Sequence, residues 1–131
     1  MSDLAAEIEA HVLESQKFSR KHLVLELDCS PQSLRELDEQ CDAVEFAIRG
    51  GKSPENVAML TRIWGAYLGE VLRRRWGGTW SVDESGPVLT INHQQFRPHE
   101  RVKQRLLAGK QHDIEAFYRE AEARVSAGGS G

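Results

Sequence analysis

The residues best placed to do chemistry gather around Glu70. Arg73 and Arg74 follow it at spacings of three and four, which on a helix brings both guanidiniums beside its carboxylate. Trp80 offers an indole N–H, and Arg97 adds a further cation to the same candidate polar cluster. Glu70 continues the helix face of Met59, Ile63 and Ala66, so partial burial is expected. A carboxylate in that setting has two uses. Paired with arginine, it ties the helix end to the segment that follows. Unpaired, its pKa rises and it can act as a general acid or base in a cleft. A general base needs a nucleophile or a metal beside it, and the sequence offers neither. A structural clamp is the expectation, and no catalytic residue is assigned.

Other constellations are weaker. Arg73-Arg74-Arg75-Trp76 has the residue types to hold phosphates and stack a base. Consecutive helical residues point about 100° apart, however, and a helix C-terminus favours basic residues through its dipole. His11, His22, His93, His99 and His112 show neither HExxH nor paired His–Cys spacing, so no metal and no cofactor are expected. His93 and His99 have room to approach each other across the end of a hairpin. Gly50-Gly51-Lys52-Ser53 ends like a phosphate loop but lacks the upstream glycine and strand. The serines have no nucleophile-elbow context.

Charge narrows the partners. The 131 residues carry a net charge of −3, which gives no pull toward nucleic acid. Residues 1–50 hold 11 acids against 5 bases, and the remainder is net basic. Either the two halves complement each other or the first half presents an acidic surface to a partner, most simply another protein. No stretch reaches the ~18 apolar residues of a membrane span. No basic start and apolar run precede Cys29 and Cys41, so a cytoplasmic home with reduced, partly buried thiols is expected.

The elements that must position these residues follow from periodicity. Asp3–His22 reads as a surface helix with a stripe of Leu4, Ile8, Val12, Ser15 and Phe18. Leu23–Asp28 alternates and reads as a short strand. Ser30-Pro31 opens a helix carrying Leu34, Leu37, Cys41, Val44 and Ile48, stopped by Gly50-Gly51. Ser53-Pro54 opens the next, which is apolar on most faces as far as Trp76 and therefore central. Gly65 and Gly69, four apart, weaken it, so a close approach by another backbone should offset them. Arg62 and Glu70 inside that span exclude a membrane helix. Thr79–Asp83 and Val88–Asn92 read as a hairpin about Glu84–Pro87. Pro98 opens a short helix with Val102, Leu106 and Leu107 inward, and Asp113 caps a last helix with Ile114, Phe117, Tyr118, Ala121 and Val125 in a stripe. The expected fold class is α+β: four to five helices around a central buried helix, with an antiparallel hairpin or three-stranded sheet. Residues 1–126 form one domain and 127–131 a flexible tail.

Leu27-Asp28-Cys29-Ser30-Pro31-Gln32-Ser33-Leu34-Arg35-Glu36-Leu37-Asp38, then Gly65-Ala66-Tyr67-Leu68-Gly69-Glu70 and Trp80, make an ordered pattern. It resembles a group of small bacterial domains of unknown function with an LDxSxxSLxxLD segment, a GxYLGE helix and a following tryptophan. The resemblance spans about Leu27 to Tyr118 and carries no catalytic residue. It implies an immunity-like or accessory role for some members. Two function classes stand: a protein-interaction module, which is preferred, and a small enzyme or ligand-binding domain with a polar cleft near Glu70, Arg73, Trp80 and Arg97.

Overall fold

The structure is a computed structural model that describes residues 3–129. Its axis is α3 (Pro54–Trp76). Ser53 caps this helix by accepting from the Asn56 N–H, and Pro54 takes the first position, where no N–H is needed. Every residue from Ile63 to Leu72 is buried, as the all-round apolar sequence demands. α1 (Leu4–Leu23), α4 (Pro98–Ala108), α5 (Ile114–Gly129) and a small sheet pack directly on α3. α2 (Ser33–Ala47) closes the fold against α1, α4 and α5. The class is α+β, with five helices and a three-stranded antiparallel sheet among the described residues.

The sheet has the order β1 (Thr79–Asp83), β2 (Gly86–Ile91), β3 (Gln94–Phe96). The first turn is tighter than the sequence implies. Asp83 pairs with Gly86 across only Glu84 and Ser85, so β2 begins at Gly86 instead of Val88. Asn92 and His93 both adopt positive φ, which joins β2 to β3 through a two-residue turn matched to strand twist.

Of the two glycines of α3, Gly65 receives the backbone approach expected and Gly69 does not. A Cβ on Gly65 would lie 2.6 Å from His99 Cγ and 2.7 Å from its Cα, so the α4 backbone is pressed against the helix there. At Gly69 the neighbour is a side chain, the Trp80 ring, with Pro98 behind it.

Three sequence expectations are corrected. Leu23–Asp28 is not a strand. Leu25 and Leu27 do turn inward, but the segment pairs with no other strand. Its backbone is held by α1 and α3 instead: Gln16 donates to the Leu27 carbonyl at 2.8 Å, and the Cys29 N–H donates to the Tyr67 hydroxyl at 2.7 Å. Leu107 is 62% exposed, and Arg105 occupies the inward position beside Leu106. Residues 127–129, read as a tail, continue α5, while 130 and 131 lie outside the described residues.

Arg105 is the most consequential of these. It is fully buried, which a guanidinium tolerates only with its donors satisfied. Its Nε donates to Asp38 Oδ1 at 2.8 Å, Nη1 and Nη2 fork onto Asp42 at 2.9 and 2.8 Å, and Nη2 also reaches the Asp38 carbonyl at 3.0 Å. Asp38 is equally deep and accepts further from Lys110 Nζ at 2.8 Å and the Ile114 N–H at 2.9 Å. The network fastens α2 to α4 and to the first turn of α5. Removing one member leaves a buried charge uncompensated, which costs about 3–5 kcal/mol. Arg105→Met is therefore expected to lower stability by about that amount, read from the urea midpoint and slope; a midpoint equal to the parent's would show that the network carries no net weight.

Candidate functional site

The structure divides the sequence-predicted cluster. Glu70 is held by both neighbouring arginines: Arg73 forks onto it at 2.9 and 3.0 Å, and Arg74 Nε donates at 2.9 Å. The Glu70 side chain is 12% exposed, against 43% and 57% for Arg73 and Arg74. Burial pushes the Glu70 carboxyl up, but the hydrogen bonds and charges of the two guanidiniums outweigh it and hold the group below its ordinary range. A carboxylate kept ionised this firmly is a poor proton donor or acceptor near neutral pH.

Trp80 is near Glu70 but not bonded to it. The two share a cavity of about 560 Å³ with Gln16 and Glu9 of α1. The Trp80 Nε1 has no hydrogen-bond partner among the described residues, because its ring is placed over Gly69. The expected bond between indole and carboxylate is therefore absent, and the clamp stays within α3. Arg97 is also elsewhere. It pairs with Asp83 across the sheet, Nη1 to Oδ1 at 3.0 Å, and so ties the turn end of the first hairpin to the start of α4.

Arg97 lines a second cavity, of about 740 Å³, between α1, α3, the first hairpin and α4. Its wall includes His11, Thr61, Arg62, His99 and Lys103. His99 is 8% exposed and sits edge-on to Trp80, ring centroids 5.7 Å apart. Burial drives its pKa down to about 4, nearby His11 adds to the fall, and the Arg62 backbone opposes it. The sequence left His99 a surface histidine with room to approach His93; the structure buries it against His11 and Trp80, while His93 lies exposed in the β2–β3 turn. Nothing in the sequence marked this cavity, because its walls come from four separate elements.

The third feature is the outer face of α2. Phe46 is 91% exposed, with Glu39 and Asp42 at helical spacings of seven and four before it and Glu45 alongside. Asp42 is engaged by Arg105 but remains 61% exposed. Arg35 and Arg49 mark the two ends of the face. Among the described residues no group of three or more His, Cys, Asp and Glu side chains is arranged to hold a metal, and no helix is long and apolar enough to cross a membrane.

No protein-family profile, curated protein or solved structure matches this chain.

Two outcomes follow from the titrating groups. Glu70→Gln keeps the shape but removes the charge that both arginines share, so the melting temperature is expected to fall measurably at neutral pH; equal melting curves would show that the clamp contributes nothing. For His99 the folded pKa of about 4 lies below the ordinary 6.5, so the unfolded chain binds the extra proton first. Its contribution is complete above 6.5 and is lost as pH falls from 6.5 toward 4. The melting temperature should drop in that window, above the range where most carboxylates titrate, and His99→Gln should flatten the drop. An equally steep drop in the variant would assign it to other groups.

Proposed function

We propose that this protein is a non-catalytic interaction module that docks a basic protein partner on the outer face of α2. The observation that carries the reading is Phe46. A phenylalanine left almost wholly in water loses the burial energy that its side chain would otherwise gain, about 1.5–3 kcal/mol. Aromatic anchors of this kind dominate binding energy when a partner's pocket closes over them. Glu39, Asp42 and Glu45 around it set the partner's chemistry: an apolar pocket rimmed by lysine or arginine, steered in by the acidic field. The net charge of −3 disfavours nucleic acid in that role.

The resemblance to small bacterial domains adds an immunity-like or accessory role to this reading. A cytoplasmic location belongs with it, since Cys29 and Cys41 are both free and buried, which suits a reducing compartment. A ligand-binding role for the cavity beside Glu70 and Trp80 is the second reading, and the polar lining that Glu70, Arg73 and Arg74 give that cavity is what favours it.

The test is a comparison of the parent with Phe46→Asp, each cross-linked in cells and its partners identified by mass spectrometry. Phe46 packs on nothing inside the fold, so the melting temperature of the variant is expected to equal the parent's. The reading holds if one protein with a basic surface is captured by the parent, lost with the variant, and bound more weakly as salt rises. Capture of the same protein by both would remove the α2 face from the interaction.

A further inference from the structure

The fold leaves two surfaces uncovered, and they are complementary. The first is the α2 face, where Phe46 stands 91% exposed beside Glu39, Asp42 and Glu45. Asp42 is spent on Arg105, which leaves Glu39 and Glu45 as the acids outside any ion pair among the described residues. The second is an apolar groove of about 550 Å³ between the first turns of α3 and the end of α4. Pro54, Val57 and Ala58 line one side of it and Leu107 the other. Leu107 is 62% exposed, although the helical pattern aimed it inward. Lys52 and Lys103 are the charged residues of the lining, and no acid is among them.

A groove floored by carbon and edged by two ammonium groups takes an apolar anchor flanked by carboxylates. Phe46 with Glu39 and Glu45 is such an anchor, on the same chain. A surface and its complement on one molecule is the condition for association of identical copies. The two surfaces meet at one corner of the fold. Gly50-Gly51 ends α2, and Lys52 comes six residues after Phe46. Asn56 of α3 holds the connection, donating to the Arg49 carbonyl at 2.9 Å and to the Gly51 carbonyl at 2.8 Å. A two-fold axis beside that corner sets each Phe46 over the other copy's groove, so the contact is made twice and closes.

We infer that the partner of the α2 face is a second copy of this chain. Phe46 of each copy seats in the other's groove of Pro54, Val57, Ala58 and Leu107, with Glu39 and Glu45 against Lys52 and Lys103. The inference rests on the docking role proposed for α2: the apolar pocket with a basic rim that this role calls for is supplied by the chain itself.

Sedimentation equilibrium of the full chain, from micromolar to millimolar concentration at low and high salt, reads the mass. The parent is expected to reach the mass of a dimer, with a dissociation constant that rises with salt. Phe46→Asp and Leu107→Asp should each weaken the dimer about thirtyfold or more, the loss of a buried anchor. Both side chains lie largely in solvent, so neither change should alter the melting temperature. Paired charge reversals then test the contact itself. A chain with Glu39→Lys and Glu45→Lys, or one with Lys52→Glu and Lys103→Glu, sets like charges together and should stay monomeric. An equal mixture of the two restores opposite charges at both contacts and should dimerise. A parent that is monomeric throughout overturns the inference, as does a dimer that Leu107→Asp leaves unchanged, or a mixture that stays monomeric. The docking role keeps its own readout. If the chain is monomeric but a foreign partner is still lost with Phe46→Asp, only the second copy is removed. If Phe46→Asp changes neither mass nor capture, both are.

Discussion

The fold depends on how a single guanidinium is satisfied. Arg105 lies at zero exposure in the interior of a 131-residue protein, and a charge there is tolerable only if oxygen atoms surround it. Asp38 and Asp42 supply them, and Asp38 in turn needs Lys110 and the Ile114 N–H. These requirements fix the register of α2 against α4 and the point at which α5 departs. Apolar contacts tolerate some sliding, because one methyl can stand in for another. A forked guanidinium–carboxylate pair does not, because its two bonds are met at one geometry. Burial pushes the Asp38 carboxyl up, and its hydrogen bonds to Arg105, Ile114 and Lys110 bring it below its usual range, so the network is ionised at neutral pH.

The motif residues are spent on the interior. Asp28 accepts from the Ser30 N–H and hydroxyl, and the Ser30 Oγ accepts from the Ser33 N–H, which builds the turn leading into α2. The Ser33 hydroxyl lies 2.6 Å from the Tyr67 hydroxyl, and Asp38 serves Arg105. In α3, Gly65 and Gly69 admit His99 and Trp80, while Glu70 gathers two arginines. The residues of that pattern thus serve to lock turns and helices together.

What was legible in the sequence was local. α3 has the limits that Ser53-Pro54 and Gly77 announce, because capping is written in adjacent residues. The last helix begins where Asp113 caps it, with the Ala116 N–H donating to its carboxylate at 2.9 Å. Alternation misled at Leu23–Asp28, since two inward leucines demand only a wall to face and not a neighbouring strand. Arg105 was missed because its partners are 63 and 67 positions away and an arginine is ordinarily placed in solvent. One signal was present: Asp38 lies on the stripe of Leu34, Leu37 and Cys41, and Arg105 on that of Val102 and Leu106, so each charge falls on a buried face. The Glu70 clamp was readable from its spacing of three and four; the role of Trp80 was not, because covering Gly69 turns the indole away from the carboxylate.

The separation of these partners has a consequence for the order in which the chain assembles. During synthesis α2 emerges with Asp38 on a face meant for the interior, long before Arg105 exists to meet it. The Ile114 N–H that completes the carboxylate's bonds comes 76 residues later. Until then a helix with a charge on its inner face has reason to stay hydrated, and the apolar stripe beside it stays open to other chains. Contacts this distant in sequence are slow to form, and exposed stripes are where nascent chains go astray. The last fifth of the chain therefore acts as a latch: the ribosome must deliver the beginning of α5 before the first half of the protein can close.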